Sequence, residues 1–124
     1  MIYQVEIARA AEQDIAAVLD FSFEQFGERA RLRYEALIAA ALEDLRTEPL
    51  RPASQDRQTI HIGVRSYHLR HSRMRGANEY GEVRAPRHLF LYDVPQTGLV
   101  RILRLLHDSM ELERHLPSDD DAGT

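Results

Sequence analysis

A chain of 124 residues is about one domain long and leaves no room for a second hydrophobic core. It contains no cysteine, which excludes disulfides, thiol catalysis and cysteine-based zinc sites. No apolar run approaches the roughly 20 residues that span a bilayer. The start of the chain has no basic segment before an apolar stretch, so we expect a cytoplasmic protein without a signal peptide and without a membrane partner.

The charges are distributed unevenly along the chain. The formal net charge is −4, and all 16 basic residues are arginine. Residues 8–48 contain five arginines and nine acidic residues, whereas residues 61–88 contain six arginines and two acidic residues. One half is therefore acidic and the other basic, so the net charge alone says little about binding partners.

The first half of the sequence predicts one strand and two helices. Residues 3–7 alternate apolar and polar side chains, which is the period of a half-buried strand. Apolar residues recur at helical spacing over residues 11–26, and Gly27 is typical of the glycine that ends a helix. A second helical pattern covers residues 34–45. Because the link is so short, the two helices should be antiparallel neighbours.

The second half predicts a sheet. Residues 60–72 are strand-like, and residues 89–92 and 99–106 are apolar on both faces, as central strands are. Residues 73–86 (RMRGANEYGEVRAP) contain two glycines, an asparagine and a proline, which predicts a long flexible hairpin loop.

The C-terminal region predicts a short helix and a tail. Asp108 and Glu111 have the spacing of a capping box, which would begin a helix that runs to Leu116. Residues 118–124 (SDDDAGT) are acidic and predict a disordered tail, so a single domain should cover residues 1–117.

This order of elements predicts an α+β fold. An N-terminal strand should be followed by an antiparallel helical hairpin that packs on one face of a small, mainly antiparallel sheet, with the short helix at the C-terminus. Because the helices cover one face only, we expect the other face and the rim of the sheet to meet water or a partner.

The histidines and arginines of the second half have two interpretations. A metal-free nuclease needs a base, an acid and cations that stabilise the phosphoryl charge. A group near residue 70 and two residues near the C-terminus could meet across the sheet to supply them. However, no acid–base pair stands out by its spacing, so solvent-facing polar residues are the simpler interpretation. The candidate residues are Arg65, Tyr67, Arg70, His71, Arg73, Arg104 and His107.

We expect neither a metal nor a cofactor. His68 and His71 are three residues apart on a predicted strand, where alternation sends their side chains to opposite faces. The sequence has no glycine-rich phosphate loop and no nucleophile elbow.

The C-terminal pattern resembles that of a known family. Residues 101–116 (RILRLLHDSMELERHL) are similar to the closing signature of ParE-type toxins in the RelE/ParE superfamily. That signature is an apolar strand that ends in Leu-His, followed by a short spacer, a Met or Arg paired with an acidic residue, and His-Leu. Upstream, residues 63–67 (GVRSY) resemble the Gly-x-Arg-aromatic strand of that family, and Phe26-Gly27 its helix-ending pair. The resemblance covers about residues 3–116.

The resemblance implies the toxin of a type II toxin–antitoxin system. Such a toxin has no catalytic residues of its own, inhibits DNA gyrase by direct binding and is neutralised by a cognate antitoxin. RelE-type relatives instead cut mRNA on the ribosome, and in that alternative His71 or His107 would transfer protons while Arg65 or Arg104 would hold phosphate. The Leu-His-x-x-Met-Glu form favours gyrase, and direct nucleic-acid binding is not expected. The long 73–86 loop departs from the compact family pattern.

Two contact surfaces are expected from this interpretation. Contacts to the target are predicted at Arg65, Tyr67, Arg70, His71, Arg73, Arg104, His107, Met110 and His115. Contacts to the antitoxin are predicted along the helical hairpin, at Ile15, Leu19, Phe23, Tyr34, Ile38 and Leu42.

Overall fold

The structure is a computed structural model and describes residues 2–116, so the predicted domain end at residue 117 and the predicted tail 118–124 lie outside the described residues. Within this part, no helix is both long and apolar enough to cross a membrane. The helices and strands are β1 (Gln4–Ile7), α1 (Arg9–Phe26), α2 (Glu28–Thr47), β2 (Gln55–Asp56), β3 (Arg65–His68), β4 (His88–Gln96) and β5 (Leu99–His107).

The strands form one mixed sheet of five strands in the order β1-β5-β4-β3-β2. β1 is parallel to β5, and the other neighbours are antiparallel. β5 therefore lies between the N-terminal strand and β4. The helical hairpin provides the crossover that a parallel pair requires. The predicted α+β fold is confirmed.

A single glycine joins the two helices. Gly27 has φ 90° and ψ 179°, a conformation that is essentially restricted to glycine, and its N–H donates to the carbonyl of Phe23. This residue ends α1 and begins α2, as the sequence predicted, and the two helices pack against each other.

The main core lies between the helical hairpin and one face of the sheet. Aromatic and aliphatic side chains of the three central strands interlock there with the apolar sides of both helices. Its most deeply buried members are Ala11, Leu37, Ile38, Ala41, Leu45, Tyr67, Leu69, Phe90, Tyr92, Val100, Ile102 and Leu105.

The opposite face of the sheet is not entirely free, which corrects the expectation from the sequence. It carries a second apolar cluster, and the chain covers this cluster with its own C-terminal residues Leu112 and Leu116. The buried members of this second cluster are Val64, Leu89, Leu91, Leu103 and Leu106.

Two predicted elements are shorter than expected. The strand expected over residues 60–72 is restricted to β3, and a single 3₁₀ turn follows it at Leu69–Ser72. The expected C-terminal helix is a 3₁₀ turn at Leu112–Arg114 without a side-chain cap. The capping interpretation of Asp108 is wrong, because its carboxylate binds side chains from two other parts of the chain.

The 73–86 loop packs against α2. Asn78 donates to the carbonyl of Leu32, and Arg33 donates to the carbonyl of Tyr80. Gly76 approaches the helix so closely that a Cβ atom there would lie 2.7 Å from the Cα of Leu37. The loop therefore covers part of the α2 surface and is tied to it by specific contacts.

Arg104 joins the helical hairpin, the sheet and the C-terminal segment. From β5, its guanidinium forms a bidentate pair with Asp14 of α1, with Nε–Oδ2 and Nη2–Oδ1 distances of 2.6 and 2.9 Å. Its Nη1 donates to the carbonyl of His115 at 2.7 Å. The same Asp14 carboxylate accepts the N–H of Leu105 at 3.0 Å. The helical hairpin, the sheet and the C-terminal segment thus meet at one partly buried ion pair.

Replacing Asp14 should remove the connection between α1 and β5. Asp14→Ala leaves the Arg104 guanidinium without its carboxylate and the Leu105 N–H without its acceptor. We expect the free energy of unfolding to fall by about 2–3 kcal/mol in urea denaturation. Glu12→Ala, an exposed acidic residue on the same helix, is the matched control. Equal stability of the two variants would contradict the role given to the pair.

Candidate functional site at one end of the central strands

Three histidines meet at one end of the three central strands. β3 ends at His68, β4 begins at His88 and β5 ends at His107, and the antiparallel register pairs His88 directly with His107. Asp108 follows immediately after β5. Strand pairing thus places chemically active side chains from distant parts of the sequence side by side.

The carboxylate of Asp108 is the acceptor at the centre of this group. Arg87 donates to it from Nε at 3.1 Å and from Nη2 at 3.0 Å, and the Nε2 of His68 lies 3.0 Å from Oδ2. The hydrogen bonds from Arg87, followed by the one from His68, lower the pKa of Asp108 to about 2. Asp108 is therefore a paired carboxylate and not a free general base at neutral pH.

The hydrogen bonds of His68 define its tautomer. The backbone N–H of Arg70 donates to Nδ1 at 3.1 Å, so the ring proton is assigned to Nε2, which donates to Asp108. The side chain is only 10% exposed. Both ring nitrogens of His68 are thus occupied by protein groups.

His88 forms a second pair with Tyr34 of α2. The Tyr34 hydroxyl lies 2.6 Å from Nδ1 of His88 and accepts the N–H of Arg87 at 3.4 Å. Burial, followed by repulsion from nearby His107, lowers the pKa of His88 to about 4. Burial also raises the pKa of Tyr34 to about 12. The pair is therefore neutral at physiological pH and links the helical hairpin to the end of the sheet.

His107 is held by the residues that follow it. Its Nδ1 accepts the N–H of Ser109 at 3.1 Å and lies 2.7 Å from the Ser109 hydroxyl. Its ring packs edge-on against His88, with the ring centroids 5.3 Å apart. Ser109 thus occupies the Nδ1 atom of His107 and fixes the orientation of the ring.

A pocket opens beside His68, on the sheet face opposite the helical hairpin. Its volume is about 320 Å³. Arg57 and Arg70 give it positive charge, and Leu89 contributes an apolar wall. Its lining residues are Ala53, Gln55, Arg57, Ser66, His68, Arg70, His71, Leu89 and Asp108.

Of the predicted target contacts, Arg70 and His71 line this pocket. Burial, followed by the charge of Arg70 and the proximity of His68, lowers the pKa of His71. Arg73 is exposed and donates to the carbonyl of Arg84, and Met110 is also exposed. These four side chains are accessible, although they do not form one cluster around a reacting centre.

The other predicted target contacts already bind groups of the protein. Tyr67 is 1% exposed, and its hydroxyl pairs with Ser72, which donates to Asp44. Tyr67 therefore lies in the core and offers no surface to a partner.

The guanidinium of Arg65 binds the hydroxyl and carbonyl of Ser54. Arg104 is paired with Asp14, and His107 with Ser109, as described above. The carbonyl of His115 accepts the bond from Arg104.

Most of the predicted antitoxin contacts are partly buried. Ile38 is buried, and four other residues pack against the main core while partly exposed. Phe23 is the exception, with 50% of its surface exposed, and Phe21 and Phe26 on the same helix are 60% and 73% exposed. The partly exposed four are Ile15, Leu19, Tyr34 and Leu42.

Several residues of this site, among them Arg87, were not selected from the sequence. His88, Asp108 and Arg57 come from three separate segments, and only the strand register and the path of the chain between α2 and β3 bring them to one end of the sheet. The pairing of His88 with His107 could have been found by aligning the two predicted central strands across a hairpin. Arg57 carries no comparable signal.

Within residues 2–116, no three acidic or histidine side chains come close enough together to hold a metal ion.

The geometry can be compared with known proteins. The family model for the ParE toxin of the type II toxin–antitoxin system parDE matches residues 5–112. The chain belongs to this family. No individual curated protein matches the sequence significantly. The ParE family consists of toxins that are paired with a cognate antitoxin, and the match includes β1, both helices and all of the central sheet.

The His88–Tyr34 pair predicts a pH-dependent stability. Histidine in an unfolded chain titrates near pH 6.5, whereas folded His88 titrates at about 4. The folded state binds fewer protons between these values, so the free energy of unfolding should fall as the pH is lowered from about 6.5 to about 4. Asp108 affects stability only below this window, because its pKa is lowered from 3.8.

Urea unfolding of the protein and of His88→Gln at a series of pH values measures this effect. The slope between pH 6.5 and 4 should be smaller in His88→Gln. His61→Gln, at an exposed histidine, should keep the original slope. The same slope in all three proteins would show that His88 does not cause the pH dependence of the free energy of unfolding.

Proposed function

We propose that this ParE-family toxin acts by binding DNA gyrase and not by catalysis, and that an antitoxin prevents this contact. Membership of the ParE toxin family supports the proposal. The proposal places the target contacts on the exposed residues Arg70, His71, Arg73 and Met110.

The observation that carries the proposal is the pairing of the polar groups that a nuclease would need. The two arginines suggested for phosphate binding are Arg65, which binds Ser54, and Arg104, which is in a bidentate pair with Asp14. The Nδ1 atom of His107 is occupied by Ser109. Phosphate binding by Arg65 or Arg104 would compete with these bonds, whereas binding to a protein through the exposed residues requires none of them to change.

A ribosome-dependent mRNA endonuclease is the second candidate. The observation that favours it is the position of His71, which is exposed, lines the pocket with Arg70 and has a lowered pKa. A neutral imidazole beside an arginine is a reasonable base for an RNA hydroxyl. No second exposed acid or base accompanies it in the pocket, because His68 and Asp108 are bound to each other.

The antitoxin surface is proposed to lie on α1. Phe23 was predicted from the sequence, and exposed Phe26, three residues further along α1, extends the apolar surface towards the end of that helix. Aromatic side chains with this degree of exposure are typical anchors of protein interfaces. The 73–86 loop already covers part of α2, which leaves α1 as the more accessible side of the hairpin.

Incubation of the purified toxin with gyrase and supercoiled plasmid tests the target. We expect loss of supercoiling activity and accumulation of trapped, cleaved plasmid, because the toxin holds the gyrase–DNA complex. Relaxation of the same plasmid by a type I topoisomerase is the control and should be unaffected. Normal gyrase activity together with cut transcripts on translating ribosomes would overturn the proposal in favour of the endonuclease.

A further inference from the structure

The pocket beside His68 has a construction that points to one class of ligand. It lies on the sheet face opposite the helical hairpin, next to the part of that face covered by Leu112 and Leu116. The pocket is therefore a recess beside the part of this face that the C-terminal segment covers. Two arginines from different segments, Arg57 before β3 and Arg70 after it, line this recess.

Arg57 is held in a fixed orientation. Its Nε donates to the hydroxyl of Ser66 at 2.8 Å, and Ser66 is only 3% exposed. This bond uses only Nε, so the two terminal nitrogens of the guanidinium remain for a ligand. These two nitrogens form an edge that can bind a carboxylate through two parallel hydrogen bonds. A pre-oriented guanidinium loses less conformational entropy on binding than a mobile one.

The charge of the pocket is positive despite the presence of a carboxylate. Asp108 lines the pocket, but Arg87 and His68 already neutralise and occupy it. The positive charges of Arg57 and Arg70 can therefore pair with an anionic ligand. The methyl group of Ala53 and the side chain of Leu89 add apolar surface, which suits the methylene groups of a glutamate side chain.

From these contacts we infer that the pocket binds an acidic segment of the protein target, with a glutamate or aspartate carboxylate paired to Arg57 and Arg70. The inference deepens the proposed function and rests on its claim that the toxin acts by contact with a polypeptide.

A nucleic-acid backbone fits the same pocket less well. Two arginines neutralise at most two phosphates, whereas nucleic-acid affinity grows with the number of neutralised phosphates.

Titration of the whole toxin with short ligands, followed by NMR signals of His71 and Leu89, tests the inference directly. The probes are hexaglutamate, hexaglutamine, inorganic phosphate and hexathymidylate at one ionic strength. We expect saturable shifts with hexaglutamate and none with hexaglutamine. Tighter binding of phosphate or hexathymidylate than of hexaglutamate would overturn the inference.

Three variants with the same change of charge locate the site. Arg57→Gln and Arg70→Gln should each raise the dissociation constant for hexaglutamate by about tenfold, since each removes charge-assisted hydrogen bonds. Arg9→Gln, at an exposed arginine outside the pocket, should bind as the original protein does. Because Arg70 is exposed, its variant remains informative even if Arg57→Gln fails to fold. Unchanged affinity of Arg70→Gln would contradict the inference.

The gyrase assay separates this inference from the proposed target. If the toxin inhibits gyrase and Arg70→Gln inhibits it equally well, the pocket is not the contact and the inference fails while the proposed function stands. If the toxin leaves gyrase unaffected but binds hexaglutamate through Arg57 and Arg70, the pocket is supported and gyrase is excluded as its partner.

Discussion

The ion pair between Arg104 and Asp14 is the interaction on which the arrangement of the molecule depends. It connects α1 to β5 at the point where the parallel neighbour β1 has ended, and it also holds the carbonyl of His115. Through that last bond, the segment with Leu112 and Leu116 is held against the second face of the sheet. An arginine that could have been interpreted as a phosphate ligand is therefore a structural connection, and its planar fork allows three acceptor atoms of two groups to be bound at once.

The polar side chains at the end of the central strands are likewise bound to other groups of the protein. Histidine, aspartate and tyrosine side chains gather there, but they form neutral or neutralised pairs, with Asp108 bound to Arg87 and His68, and His88 bound to Tyr34. A cluster of this composition would suggest catalysis if only residue types were considered. Its hydrogen bonds tie β3, β4, α2 and the residue after β5 together beside the pocket that Arg57 and Arg70 line.

Local patterns in the sequence were sufficient to predict much of the fold. Helical periodicity and Gly27 gave the hairpin, and the apolar runs at residues 89–92 and 99–106 gave the central strands, because these features depend on near neighbours. The C-terminal helix was predicted incorrectly because long-range contacts decide whether it forms. Asp108 binds His68, 40 residues away, in preference to capping a helix. The pocket could not be predicted, since the path of a loop determines where Arg57 lies.

A titration of gyrase supercoiling activity against toxin concentration tests the central claim of action by contact most directly. A toxin that works by binding should reach full inhibition at a fixed molar ratio to gyrase, and longer preincubation should leave that ratio unchanged. Inhibition by trace amounts of toxin that deepens with time would reveal turnover, and the polar groups at the end of the central strands would then have to be reinterpreted as catalytic.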